Sequence, residues 1–141
     1  MKIIIIDGQG GRIGKSIVEQ LKKVLPNQPL IAIGTNSTAT SAMLKAGADL
    51  AATGENPVLV NSRDADIIIG PLGIVIANSL LGEITPAMAE AVGSSKALQI
   101  LLPVNRCNHY VVGTEELTLT DAIRQVCQKV VSLCSGSPDH C

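Results

Sequence analysis

The chain has 141 residues, the size of a single domain. It is 46% hydrophobic and 16% charged, too apolar for a disordered segment, and 11 Lys and Arg against 12 Asp and Glu leave a net charge of -1. With that balance, and with Tyr110 as the one aromatic residue, the sequence offers neither the basic footprint nor the stacking platforms of a nucleic-acid binder.

The first element is the run Lys2-Ile-Ile-Ile-Ile6, continuous in the way a strand buried on both faces is. Closed by Asp7, it is far shorter than the ~7–15-residue core of a secretory signal. Residues 12–25 place Ile13, Ile17, Leu21, Val24 and Leu25 on one helical stripe, and Pro26 ends that helix. A second strand is predicted over 30–33, a second helix over 39–46 closed by Gly47, and a short third strand over 49–52. Residues 57–63 allow two readings. Asn56 before Pro57 looks like a helix cap followed by a first-turn proline, while Val58-Leu-Val60 also suits a strand; the helix is preferred.

The fourth strand is predicted over 65–70, and a helix over 72–81 is entered through the turn Gly70-Pro71-Leu-Gly73. With Asn78 and Ser79 inside it, that stretch falls well below the ~20 apolar residues a membrane span needs. Thr85-Pro86 starts a further helix that stops at Gly93. The fifth strand is predicted over 97–102, an edge strand over 110–112, and a last helix over 118–134 with Ile123, Val126, Cys127 and Val130 on one face. Short β-rich runs alternating with helical periods predict an α/β fold: a three-layer, Rossmann-like parallel sheet with helices on both faces, one domain over 1–134, and a disordered tail at 135–141. Cys107, Cys127, Cys134 and Cys141 lack metal-site spacing, so no metal is expected. Cys127 and Cys134 read as core fillers, and unpaired thiols point to the cytoplasm.

Between the first strand and the first helix lies Gly8-Gln9-Gly10-Gly11-Arg12-Ile13-Gly14, four glycines in seven residues. Glycine there lets the chain turn tightly, lets backbone N–H groups approach a pyrophosphate, and packs the new helix on the strand. The helix N-terminus adds unpaired donors and a partial positive charge. Residues 8–13 are therefore expected to hold a cofactor phosphate, with a branched side chain at Gly11 blocking the ligand while sparing the fold. The spacing GxxGxxG over Gly8, Gly11 and Gly14, with Gly-Arg-hydrophobic-Gly, resembles the nucleotide loop of dihydrodipicolinate reductases and related NAD(P)-dependent reductases. That resemblance implies an NAD(P) cofactor with Arg12 near its phosphates. It covers the first turn and helix; the substrate domain and His-His motif of those enzymes have no counterpart. Over its whole length the chain resembles a family of short bacterial proteins of about this size and of unknown function, through Asp7 to Gly14, Gly34-Thr35-Asn36, Ala52-Thr-Gly-Glu-Asn56, Gly70-Pro71 and Asn105-Arg106-Cys107.

A rival reading takes Gly14-Lys15-Ser16 as the end of a P-loop for a nucleoside triphosphate, but residue 9 is Gln9 where GxxxxGK[ST] needs glycine, and no later strand ends in a carboxylate to hold magnesium. The second strand ends in Gly34-Thr35-Asn36 without the acid that bonds the ribose in NAD-specific folds. Its hydroxyl and amide are expected to donate to a 2′-phosphate, favouring NADP over NAD, or else to cap the next helix. The same sheet edge collects Glu55 as a candidate general base and Cys107, beside Arg106, as a candidate nucleophile. Asn56, Asn105 and Arg106 are candidate substrate contacts. The functions this leaves are a small NAD(P)-binding oxidoreductase or a non-catalytic nucleotide-sensing module. A homo-oligomer, most simply a dimer, would cover an exposed sheet edge or the apolar 72–81 segment.

Overall fold

The computed structural model describes residues 1–104 and 108–136. Five strands, β1 (Ile3–Asp7), β2 (Leu30–Gly34), β3 (Leu50–Thr53), β4 (Ile67–Pro71) and β5 (Leu98–Leu102), form one sheet in the order β3-β2-β1-β4-β5, every pair parallel. The helices are α1 (Arg12–Val24), α2 (Ser37–Lys45), α3 (Glu55–Ser62), α4 (Pro86–Gly93) and α5 (Leu119–Cys134).

The isoleucine run explains why β1 lies at the centre. Strand side chains alternate between faces, so Ile3 and Ile5 enter one core and Ile4 and Ile6 the other, all four fully buried. Each such side chain contributes roughly 1.5–3 kcal/mol of burial. The first core is closed by Ile17, Leu21, Met43 and Val126 from α1, α2 and α5, and the second by Val58, Met88 and Val92 from α3 and α4. Helices thus cover both faces, as the sequence predicts. Cys127 is buried in the first core and unpaired, the filler expected of it.

Three expectations are corrected. Residues 72–81 do not form a helix: a single 3-10 turn covers Leu72–Val75, and the chain then folds back with Asn78, Leu80 and Leu81 in the left-handed region (φ 64, 54 and 56°). The apolar residues there serve the second core by folding back, with Ile74, Leu80 and Ile84 buried, instead of lining a helical stripe. No strand forms at 110–112, where left-handed turns at Asn108 (φ 45°) and Gly113 (φ 87°) leave too short an extended run to pair. The segment 57–63 is helical, but the helix begins at Glu55 behind Gly54 (φ 109°), so Asn56 lies inside the first turn and is not its cap. Among the described residues no helix is long and apolar enough to cross a membrane.

Candidate functional site

Strand β4 lies on the opposite side of β1 from β2, and the chain leaves β1 and β4 toward opposite faces, α1 to one and the 3-10 turn and α4 to the other. Doubly wound sheets bind ligands at such a switch point, outside the carboxyl ends of the strands. Asp7 ends β1 there, 2% exposed. Its carboxylate accepts the Gly8 N–H at 2.8 Å and the Gly14 N–H at 2.7 Å. Gly11, which precedes α1, has no side chain to cap the helix, so the strand residue Asp7 does that work instead. Burial pushes the Asp7 carboxyl above its usual range, opposed by the amides of Gly14 and Gly8, and the nearby charge of Glu83 adds to the rise.

The four glycines of the loop have different roles. A Cβ at Gly14 would come within 2.5 Å of Met43 Sδ and 2.9 Å of Asp7 Cβ, so this glycine lets α1 lie close on β1 and α2. Gly11 is left-handed (φ 73°), and a Cβ there would stand 2.7 Å from Ala39 Cα. Gly8 is covered by Thr35, Leu80 and Glu83. Gly10 alone meets nothing within 4 Å. Among the described residues the N–H groups of Gly10 and Arg12 donate to no protein atom, and Arg12 is exposed beside them. Ile13, expected among the cofactor contacts, is buried, with its N–H toward Asp7.

An acid does stand at the end of β2, supplied from far along the chain. Glu83 Oε1 accepts the Thr35 hydroxyl at 2.6 Å, Asn36 Nδ2 at 2.6 Å and the Gln9 N–H at 3.0 Å, while Oε2 takes only a 3.2 Å share of the same Gln9 N–H. Burial works to raise its pKa, but the bonds from Thr35, Asn36 and Gln9 outweigh it and hold the carboxyl below its ordinary range. Asn36 is fixed as well: its Oδ1 caps α2 by accepting the Ala39 N–H at 2.9 Å, and its Nδ2 also donates to the Gln9 carbonyl at 3.0 Å. The expectation that Thr35 and Asn36 await a 2′-phosphate is therefore corrected, since both donate to Glu83. The capping alternative holds for Asn36. Nothing near residue 83 signals this role locally; only the folded-back 76–84 segment brings it to β2.

The structure brings together Gly8, Gln9, Gly10, Gly11, Arg12, Gly34, Thr35 and Asn36 at this edge. It does not bring Glu55 there. Glu55 is exposed in the first turn of α3, beyond the edge strand β3, and β3 is two strand spacings or about 10 Å from β1. Asn56 is exposed beside it. Cys107, Asn105 and Arg106 lie outside the described residues, as do 137–141 of the expected tail. Lys15, the P-loop lysine of the rival reading, is exposed and lines a cleft of about 460 Å³ between α1 and α2 with Ser37, Thr38 and Lys45. Two larger clefts, of 560 Å³ between α3 and α4 and 610 Å³ between α1 and α5, lie away from the loop.

Strand order and glycine loop together define a doubly wound α/β protein of the Rossmann-like class. The chain belongs to the family described as domain of unknown function (DUF3842), whose model matches residues 2–135. The end-to-end resemblance to a family of unknown function thus holds, whereas the likeness to dihydrodipicolinate reductases rests on the loop alone. No curated protein matches the sequence. The crystal structure of a dodecameric FMN-dependent Ubix-like decarboxylase from Escherichia coli O157:H7 is similar at 14% identity, covering 96% of this chain and 95% of that one, with a TM-score of 0.44.

Proposed function

We propose that the chain is a nucleotide-binding module of the NAD(P) type, whose phosphates sit on the free N–H groups of Gly10 and Arg12 with the Arg12 guanidinium beside them. The observation that carries this is Gly10. It is the one glycine of the loop with no packing reason to be glycine, and it faces open space at the switch point, where a ligand backbone must approach closely. Binding, not turnover, is what the residues support. Glu55 is remote from the loop, and Glu83, held firmly ionised by three donors, suits a hydrogen-bond acceptor better than a base poised near neutral pH. A sensor whose bound nucleotide changes its association is the form of the proposal these facts favour.

Thermal unfolding with NAD, NADP, ATP and GTP tests it. At a hundredfold excess over its dissociation constant a dinucleotide adds ~2.7 kcal/mol, a rise in Tm on the order of 8 °C for a chain of this size. A Tm that none of the four moves would make the loop a turn and nothing more.

Self-association belongs to the same proposal. In the 72–81 segment Ile74 and Leu80 are buried, but Leu81 is 96% exposed and adds to the apolar surface available to a second copy. Both sheet edges are open among the described residues: β3 exposes 65% of Leu50, and Leu98 of β5 is exposed too. Pairing through an edge would bury those aliphatics. Light scattering at micromolar concentration should give the mass of a dimer or larger; a single-chain mass at every concentration and ionic strength removes the oligomer.

A further inference from the structure

We propose that Glu83 is the ribose ligand of this site and sets its selectivity, admitting a nucleotide with a free 2′-hydroxyl and rejecting one with a 2′-phosphate. The inference rests on the nucleotide reading above and goes further by naming the ligand class.

Three observations lead to it. The carboxylate lies across the end of β2 and over the Gln9 amide, the position from which an acid in a doubly wound fold reaches a ribose, although here it comes from the segment after β4. Oε1 is fully engaged by Thr35, Asn36 and Gln9, whereas Oε2 carries only the long share of the Gln9 N–H and retains acceptor capacity for a hydroxyl donor. The donors a 2′-phosphate would need are committed. Thr35 gives its single proton to Glu83, and both the oxygen and the nitrogen of Asn36 are engaged by α2, Gln9 and Glu83. A phosphate placed here would meet a carboxylate at hydrogen-bonding range with no free donor between them, and like charges so placed repel strongly.

Glu83 is also anchored, which a specificity group must be. The Asn78 N–H donates to the Ile84 carbonyl at 2.7 Å, the Ser79 hydroxyl bonds the Gly73 carbonyl, and Leu80 is buried against Gly8. The competing seat for a 2′-phosphate is the α1–α2 cleft with Lys15, Ser37, Thr38 and Lys45, on the other side of the α2 cap.

Calorimetric titration of the full chain with NAD and with NADP, probes that differ only in the 2′-phosphate, decides between them. Wild type should bind NAD at least about tenfold more tightly than NADP, and Glu83→Gln should weaken NAD by about tenfold and narrow the gap, as expected for loss of a charge-assisted hydrogen bond. Gly10→Val should bind neither. Equal affinities, or a preference for NADP, would overturn the proposal while leaving the nucleotide site in place; loss of that preference in Lys15→Ala would put the 2′-phosphate in the α1–α2 cleft. Tighter NAD binding by Glu83→Gln would also overturn it, because Glu83 would then obstruct the site and not ligate. Binding of neither dinucleotide by wild type removes the site itself and this inference with it. If Glu83→Gln melts early, the wild-type ratio of the two affinities still decides selectivity.

Discussion

Gly11→Val is expected to cost roughly 4 kcal/mol of stability, and Gly10→Val almost none, although the two glycines are adjacent. At Gly11 the φ of 73° is unfavourable for a β-branched residue, and the new Cβ would stand 2.7 Å from Ala39 Cα and 3.0 Å from its carbonyl oxygen. Those atoms are backbone of α2 and cannot swing aside. Strain of ~1–3 kcal/mol adds to overpacking of ~1–3 kcal/mol. For a chain of this length that is a fall in Tm on the order of 10 °C. The expectation that a side chain at Gly11 spares the fold is thereby corrected: the glycine seats α1 against α2, and its loss of binding would follow from damage to the fold. Gly10→Val adds its side chain to open space, so it should melt within about 1 °C of wild type, as uncrowded surface changes do, and lose the nucleotide-induced shift. Melting of both variants with and without NAD checks the pair. A Gly11→Val protein as stable as wild type would mean that α1 and α2 are free to separate.

What the sequence made legible followed from strong, local periodicity. The Ile3 to Ile6 run could only be a doubly buried strand, and the Thr85-Pro86 start is seen in the Thr85 hydroxyl accepting the Met88 N–H at 3.1 Å. The glycine loop fell where predicted because a buried strand, a glycine cluster and an amphipathic stripe are contiguous in sequence. Residues 72–81 misled because their composition suits an apolar helix equally well as a loop that buries Ile74 and Leu80 singly and leaves Leu81 exposed. Propensity does not distinguish the two, and tertiary packing decides. Glu83 was illegible for the same reason. Its partners Gln9, Thr35 and Asn36 lie 47 or more residues away, and it becomes a neighbour of β2 only because the left-handed turn at Asn78, Leu80 and Leu81 reverses the chain. β2 itself ends without an acid, and the donors Thr35 and Asn36, expected to serve a 2′-phosphate, are engaged instead by Glu83 from a remote segment.

Asp7 and Glu83 face each other across the Gly8–Gln9 backbone, and the second large effect belongs to Asp7. Asp7→Ala removes the acceptor of two buried N–H groups, Gly8 and Gly14, at ~1–3 kcal/mol each, so roughly 4 kcal/mol of stability should be lost, read as the shift in urea midpoint. The pH dependence of the two acids should carry opposite signs. Asp7 has a folded pKa raised above its ordinary 3.8 by burial, so the folded chain holds its proton more tightly than the unfolded chain does. As pH falls through that raised value, Asp7 adds stability, and the gain is complete below 3.8. Glu83 has a folded pKa below its ordinary 4.5, because the bonds from Thr35, Asn36 and Gln9 outweigh the effect of burial. Its contribution is present above 4.5 and is lost as pH falls through the depressed value. Wild type should accordingly gain on Asp7→Asn and lose to Glu83→Gln as the solution is acidified from neutral, in urea titrations of all three proteins at matched ionic strength. Parallel pH profiles for wild type and Asp7→Asn would show that the amides of Gly8 and Gly14 offset burial completely, and the raised Asp7 carboxyl would fall.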